Sequence, residues 1–76
     1  MRYRVISALE LQDAETEENE FKFDNFKDAM DYYRNGFTTM AETIVDYGGD
    51  FTINLIDEEE SSILLRNTIS TTINEL

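Results

Sequence analysis

The side chains of this chain that could do chemistry are carboxylates, which occur in two dense clusters. Asp57, Glu58, Glu59 and Glu60 follow one another directly. A second acidic stretch contains Glu10, Asp13, Glu15, Glu17, Glu18 and Glu20. A calcium-binding EF-hand loop alternates its oxygen ligands and has a central glycine, whereas the run at 57–60 has neither. We therefore expect a solvated turn there and no bound metal.

The residues that most enzymes use for catalysis are missing. Histidine and cysteine, the usual general base and thiol nucleophile, are both absent from the sequence. Without cysteine, neither a disulfide nor a thiolate zinc site can form. The three glycines, Gly36, Gly48 and Gly49, stand at predicted element ends and do not make a phosphate-binding loop. The sequence predicts a non-enzymatic protein without a cofactor.

The overall charge predicts the kind of partner. Seventeen acidic and six basic residues give a formal net charge of −11 over 76 residues. Such a charge repels nucleic acid and membrane surfaces and attracts basic protein surfaces. Hydrophobic residues still make up 41% of the chain, and no apolar run approaches the roughly 18 residues of a membrane span. We expect a single soluble, folded, acidic domain spanning residues 1–76, located in the cytoplasm, with no nucleic-acid or membrane partner.

The first third of the chain has the period-two pattern of a β-hairpin. Apolar residues alternate with polar ones over residues 2–11, which predicts a strand. Residues 12–19 are polar and acidic, and we expect them to form the connection. Phe21 and Phe23 alternate with polar neighbours, which predicts a short return strand.

The middle of the chain changes to helical spacing. Phe26, Ala29, Met30 and Tyr33 make an apolar stripe, with Asp24 or Asn25 as the N-cap and Gly36 as a stop signal. A second stripe runs over residues 37–47, where Thr39 and Glu42 have capping-box spacing and Gly48 ends the pattern. We favour a second helix over residues 37–47. The alternative is a strand with a tight turn at 47–50, since the segment is rich in threonine and contains Ile44-Val45.

The last third predicts a second hairpin. Phe51, Ile53 and Leu55 alternate with polar residues, 57–61 reads as a turn, and a final strand begins at Ile63. The tail from residue 70 either frays or forms a final helical turn. The predicted fold is α+β: a four-stranded antiparallel sheet with two short helices on one face, in the order β-β-α-α-β-β. A chain turn at Gly36 would place both acidic turns at one end of the sheet, whereas one continuous helix would place them at opposite ends.

Two surfaces are candidates for recognition. Asp24, Asp28 and Asp31 are three or four residues apart, as are Glu42 and Asp46, so that each set lies along one side of a helix. The second candidate is an apolar patch on the open face of the sheet, made of Ile6, Ala8, Ile56 and Leu64. Such a patch would suit a homodimer.

In size, acidity and α+β layout, the chain resembles the small bacteriophage proteins that inhibit host defence. These include anti-CRISPR proteins and DNA-mimicking inhibitors of restriction or DNA-binding enzymes. The resemblance covers the whole chain as a profile, and no motif carries it. It implies an inhibitor that acts by steric or electrostatic occlusion, in the host cytoplasm if it is phage-encoded.

Two functions therefore follow as hypotheses. In the first, the chain blocks the basic surface of a nucleic-acid-handling protein by presenting carboxylates in place of phosphates. The partner-binding residues predicted for this role are Glu15, Glu17, Glu18, Asp28, Asp31, Asp57, Glu58, Glu59 and Glu60. In the second, the chain is a small accessory or assembly domain, homodimeric through its open sheet face, and its acidity serves only solubility.

Overall fold

A computed structural model describes residues 1–11 and 16–71 of the chain. Within these ranges the order of elements is β-β-α-β-β, which confirms the α+β class. The elements are β1 (Tyr3–Leu11), β2 (Thr16–Phe23), α1 (Phe26–Tyr47), β3 (Gly49–Asp57) and β4 (Ser62–Thr71). None of the described helices is long and apolar enough to cross a membrane.

The four strands form one antiparallel sheet in the order β2-β1-β3-β4. At one end of the sheet Tyr3 lies opposite Phe23 and Asp57, and at the other end Leu11 lies opposite Gly49. β2 and β4 are therefore the edge strands. A bulge interrupts the pairing of β3 with β4 near Leu64, because Leu55 pairs with Leu65 and Ile56 with Ile63.

A single 22-residue helix replaces the two predicted ones. The prediction of a break at Gly36 was wrong because the two apolar stripes are in phase: Phe37 follows Tyr33 by four residues, so one continuous helix buries both. A Cβ atom at Gly36 would lie 3.4 Å from Ile53 Cδ1, so helix and sheet approach closely there. The helix is about 33 Å long. It carries the chain to the far end of the sheet, so that Leu11 of β1 and Thr16 of β2 lie at the end opposite the β3–β4 turn.

The caps of α1 explain where it begins and ends. The Asn25 side chain accepts a hydrogen bond from the Asp28 backbone N–H at 2.9 Å, which confirms Asn25 as an N-cap. Gly48, with φ 74°, ends the helix and donates its N–H to the Ile44 carbonyl. The predicted capping box at Thr39 was wrong, since Thr39 lies inside the helix and its carbonyl accepts a hydrogen bond from the Thr43 hydroxyl.

The predicted connection over residues 12–19 was too long. Strand β2 already begins at Thr16, and Glu17 and Glu18 lie opposite Leu9 and Ala8 of β1. The sequence pattern missed this segment because it contains only polar side chains between Thr16 and Glu20. Pairing with β1, rather than burial of its own side chains, makes it a strand.

The core lies between α1 and one face of the sheet, which we call the helix face. Its buried residues are Val5, Ala29, Tyr33, Ile44, Phe51, Ile53 and Leu55. Val5, Phe51, Ile53 and Leu55 occupy alternate strand positions, as the period of two predicts. The opposite face of the sheet, the open face, carries Arg4, Ile6, Ala8 and Glu10 of β1.

The open face does not repeat this apolar pattern. Arg4 faces Ile56 across β1 and β3, and Asn54 faces Ile6. Ile6, Ala8 and Ile56 are half-buried, and only Leu64 of the predicted patch is exposed. Between β1 and β3 each of these isoleucines thus faces a polar residue, whereas Ile56 has an apolar partner, Ile63, on β4.

Candidate functional site

The strand register sorts the charges along the sheet. In the half that runs from Tyr3 to Ile6 on β1, the strands carry both signs: Arg4, Glu20, Lys22, Asp57 and Arg66. In the half that runs from Ser7 to Leu11, the charged residues of the described strands are all acidic: Glu10, Glu17, Glu18 and Asp50. We call this second set the acidic end. We call Arg2, Arg4, Asp57, Glu58 and Glu59 the paired end.

The paired end is built around an ion pair between Arg2 and Asp57. Arg2 Nε lies 3.1 Å from Asp57 Oδ1, and Arg2 Nη2 lies 2.9 Å from Asp57 Oδ2. This two-point geometry is the strong form of an arginine–carboxylate contact. Arg2 Nε also lies 3.0 Å from Glu59 Oε2, and the Arg2 carbonyl accepts the Glu58 backbone N–H at 2.8 Å. Residue 2 therefore ties the start of the chain to the β3–β4 turn.

Asp57 is buried, with 4% of its surface exposed. Its Oδ1 accepts the backbone N–H groups of Glu59 and Glu60, which is the hydrogen bonding of an Asx-turn. The hydrogen bonds from Arg2 lower the pKa of Asp57 below its usual value; desolvation opposes them, and the N–H groups of Glu60 and Glu59 add to the lowering. Asp57 is thus the charged group that holds the turn, and its carboxylate does not face solvent.

Arg4 adds two further acidic partners to the paired end. Its Nε lies 2.9 Å from Glu58 Oε1, and its Nη1 lies 3.7 Å from Glu20 Oε1. The Nε position is a charge contact rather than an aligned hydrogen bond, since no described acceptor meets the direction of its N–H. Of the predicted acidic turn, Glu58 and Glu59 therefore lie beside arginines.

At the acidic end, acid lies opposite acid. Glu10 of β1 and Asp50 of β3 are direct cross-strand partners, and both are exposed. Residues that are directly opposed in an antiparallel pair have Cβ atoms about 4.5–5.5 Å apart, and like charges in that position are destabilising. Ser70 donates its hydroxyl to Asp50, which satisfies one oxygen but leaves the charge. Glu18, opposite Ala8 on the same face, extends the acidic row to β2.

The end of the helix adds to the same charge. α1 ends at Tyr47, directly before Gly49 pairs with Leu11, so its C-terminus lies at the acidic end. A helix C-terminus carries a partial negative charge that a basic residue normally offsets. The last turn of α1 contains no basic residue, and Glu42 and Asp46 are exposed on its second half.

The structure separates the predicted partner-binding residues. Glu17 and Glu18 lie at the acidic end, and Glu58, Glu59 and Glu60 lie at the opposite end of the sheet. Glu15 is outside the described residues. The helical pair lies in the first half of α1. The Asp28 backbone N–H donates to Asn25 Oδ1, the Asp28 carboxylate accepts from Asn25 Nδ2, and Asp31 binds Lys27 at 3.0 Å.

Sequence reasoning did not select Glu10 or Asp50. Glu10 lies within the first predicted strand and Asp50 directly precedes the third, but their opposition depends on the register of β1 with β3. The alternation in each strand places them on the open face, and a correct register would have found the pair. The same alternation also places Asp57 with Phe51, Ile53 and Leu55, which was an available signal that Asp57 points inward.

A small cavity lies between α1 and the sheet near the acidic end. Its volume is about 120 Å³, and its polar lining residues Ser7, Glu17 and Asn19 stand on β1 and β2. Ser7 is the residue that interrupts the apolar face of β1. In the parts of the chain that the structure describes, the cavity included, no group of three or more acidic side chains is arranged to hold a metal ion.

Comparisons with protein-family models, with curated proteins and with solved structures returned no match to this chain. The arrangement of charge along the sheet is therefore the observation from which function is argued.

Proposed function

We propose that this protein is a non-enzymatic inhibitor that occludes the basic surface of a nucleic-acid-handling protein. The contact surface is the acidic end. A single observation carries the proposal: Glu10 lies directly opposite Asp50, in a half of the sheet whose described strands contain no lysine or arginine.

Opposed like charges cost stability, on the order of 0.2–1 kcal/mol for a cross-strand pair. The chain has cations, yet its strand cations stand at the other half of the sheet. A basic partner surface supplies the missing counter-charge, so that binding relieves a repulsion that the isolated fold retains.

The geometry suits a surface that normally binds phosphates. Strand residues two positions apart are about 7 Å apart along the strand, so Glu18 and Glu10 form a spaced row of carboxylates across β2 and β1. Asp50 continues the row onto β3. Carboxylates at such spacing take the places of phosphates in a groove lined by lysine and arginine. Association is fast and weakens as salt rises.

The paired end contributes less to this contact. Arg2 and Arg4 already neutralise part of the turn at 57–60, and Asp57 is buried. In this proposal Glu60 and the exposed edges of Glu58 and Glu59 add long-range attraction, while Asp57 maintains the turn. The phage anti-defence role, with DNA mimicry against a CRISPR or restriction enzyme, follows from the resemblance in size, acidity and fold class.

The test starts from capture at low salt. Immobilised protein is exposed to lysate of the source cell or its host, eluted with a salt gradient, and the captured protein is purified. A labelled DNA duplex bound to that protein is then titrated with wild-type chain. We expect displacement of the duplex, with at least a tenfold loss of potency for the variant Glu10→Gln/Asp50→Asn.

The matched control is Glu58→Gln/Glu60→Gln, which removes the same charge from the other end of the sheet. We expect it to lose only a few-fold in potency. An equal loss in both variants would show that net charge alone, and not the acidic end, drives binding. Simultaneous binding of duplex and chain would contradict occlusion.

A further inference from the structure

The edge strand β4 differs in charge from the rest of the molecule. It contains no acidic residue in its ten positions, and its single charged residue is Arg66. Ile63, Leu64 and Leu65 are exposed large apolar side chains at 51%, 42% and 37%. β4 pairs only with β3, so its outer backbone groups have no strand partner among the described residues.

Natural sheets protect an edge with charged side chains, prolines or bulges, because an unprotected edge pairs with another strand. The other edge strand, β2, is protected by charge through Glu17, Glu18, Glu20 and Lys22. β4 has a bulge at Leu64, which protects only its beginning. Residues 65–71 remain a regular segment available for pairing.

We propose that residues 65–69 of this segment pair with the same residues of a second copy of the chain. The two β4 strands run antiparallel about a two-fold axis at Asn67, so that the two sheets join into one of eight strands. Leu65 then lies opposite the partner's Ile69 on the helix face, and Arg66 lies opposite the partner's Thr68 on the open face.

This register is favoured over its neighbours by charge and by apolar contact. Shifting the axis to Arg66 would place two arginines directly opposite each other, which is destabilising. Shifting it to Thr68 would pair Ile69 with the partner's Asn67 and lose both apolar pairs. Changing the register by one residue, with the axis between two residues, would place residues of the helix face opposite residues of the open face.

The strand that pairs with β4 is the β4 of a second copy, because two β4 strands side by side bring no acidic side chains together. Each copy is strongly negative, yet no acidic side chain lies on either pairing strand. Antiparallel pairing also sends the acidic ends in opposite directions, since in each copy the acidic end lies beside Thr71. The repelling surfaces are therefore separated, and both stay open to a basic partner. The inference stands independently of the proposed function.

The test uses the absence of cysteine from the chain. In the proposed dimer the two Asn67 positions face each other at a distance that a disulfide can span. Asn67→Cys is expected to form a disulfide-linked dimer on mild oxidation. Asn19→Cys is the matched control, because Asn19 occupies the same register row at the β2 edge. We expect at least tenfold more cross-linked dimer for Asn67→Cys, and equal yields would overturn the proposal.

Asn67→Cys also removes the hydrogen bond that Asn67 donates to the Tyr33 hydroxyl. A second variant therefore tests the dimer with this bond kept. Leu65→Lys places a charge on an already exposed position and should leave the fold intact. In sedimentation equilibrium, wild type is expected to dimerise and Leu65→Lys to remain a monomer. Wild-type dimerisation should strengthen as salt rises, because salt screens the repulsion between copies, whereas binding to a basic partner should weaken. A wild type that stays monomeric up to millimolar concentration at high salt would overturn the proposal, whatever the fate of partner binding.

Discussion

The two ends of the sheet use acidic residues in opposite ways. At the paired end, Asp57 is buried against Arg2, and Glu58 lies beside Arg4. At the acidic end, Glu10 faces Asp50, and the described strands offer no cation. The same residue types thus hold one end together and strain the other. Net charge alone does not show where a protein of this composition is stabilised.

The acidic end is held instead by backbone geometry. Gly48 ends the helix with φ 74°, and Gly49 enters β3 with φ 133°, a value that residues with a side chain rarely adopt. These two residues let the chain leave the long helix and pair at once with β1. Where side-chain charges repel, the turn depends on residues without side chains.

The largest effect is expected from Gly49→Ala. A Cβ atom there would lie 2.8 Å from Leu11 Cα and still closer to the Glu10 carbonyl oxygen, on a backbone with positive φ. Because neither backbone atom can move without breaking the pairing of β1 with β3, we expect a loss of at least about 2 kcal/mol in the free energy of unfolding. Urea denaturation followed by circular dichroism measures it.

The control for that change is Gly36→Ala in the middle of α1. A Cβ atom there meets only the flexible end of Ile53 at 3.4 Å, and alanine is the better helix former by about 1 kcal/mol. We expect no loss and up to that gain. A loss at Gly36 comparable to the loss at Gly49 would mean that the helix is broken at Gly36, as two separate helices would require.

The sequence predicts β1, β3 and the first half of α1 because their apolar residues repeat at the period of the element. It misleads at Gly36, where a stop signal competes with two stripes that are in phase, and burial of one continuous face wins over the local preference of glycine. It also misleads at β2, whose polar residues become a strand through pairing with β1. Neither outcome can be read from a local window.

The candidate site is harder to predict than the fold because it depends on register. The acidic runs at 10–20 and 57–60 look equivalent in the sequence, and only the partners of each acid distinguish them. Asp57 gains Arg2 from 55 positions away along the chain. Glu10 gains Asp50, an acid that the sequence does not group with any run. Long-range pairing, rather than composition, separates a structural carboxylate from one available to a partner.

The next effect in size concerns Asp57→Asn. The pKa of Asp57 is lowered in the folded state, chiefly by the Arg2 hydrogen bonds, so its contribution to stability is present above its unfolded pKa and is lost as pH falls through the folded value. We expect the variant to melt several degrees lower near pH 7, with the difference from wild type shrinking below pH 4. Thermal melts across that range measure it.

The matched control is Glu60→Gln, which removes one charge from the same turn at an exposed position. It should melt close to wild type at each pH. If Asp57→Asn instead melts like wild type at neutral pH, the Arg2–Asp57 pair does not hold the turn. The claim that acidic residues stabilise the paired end would then be contradicted.

The smallest expected effect is a gain in stability when one charge is removed from the acidic end. Glu10→Gln removes one of two opposed like charges, so we expect it to raise the free energy of unfolding by about 0.2–1 kcal/mol at low salt. Glu20→Gln removes an acid on the same face that lies near Arg4, and it should give no gain. The advantage of Glu10→Gln should fade in about 0.5 M salt, where exposed charges are screened. Urea titrations at two salt concentrations measure both variants. An equal gain for both variants would show that the net charge of −11 as a whole lowers the stability, and not the Glu10–Asp50 pair. The acidic end would then not be distinguished as the surface that binds a partner.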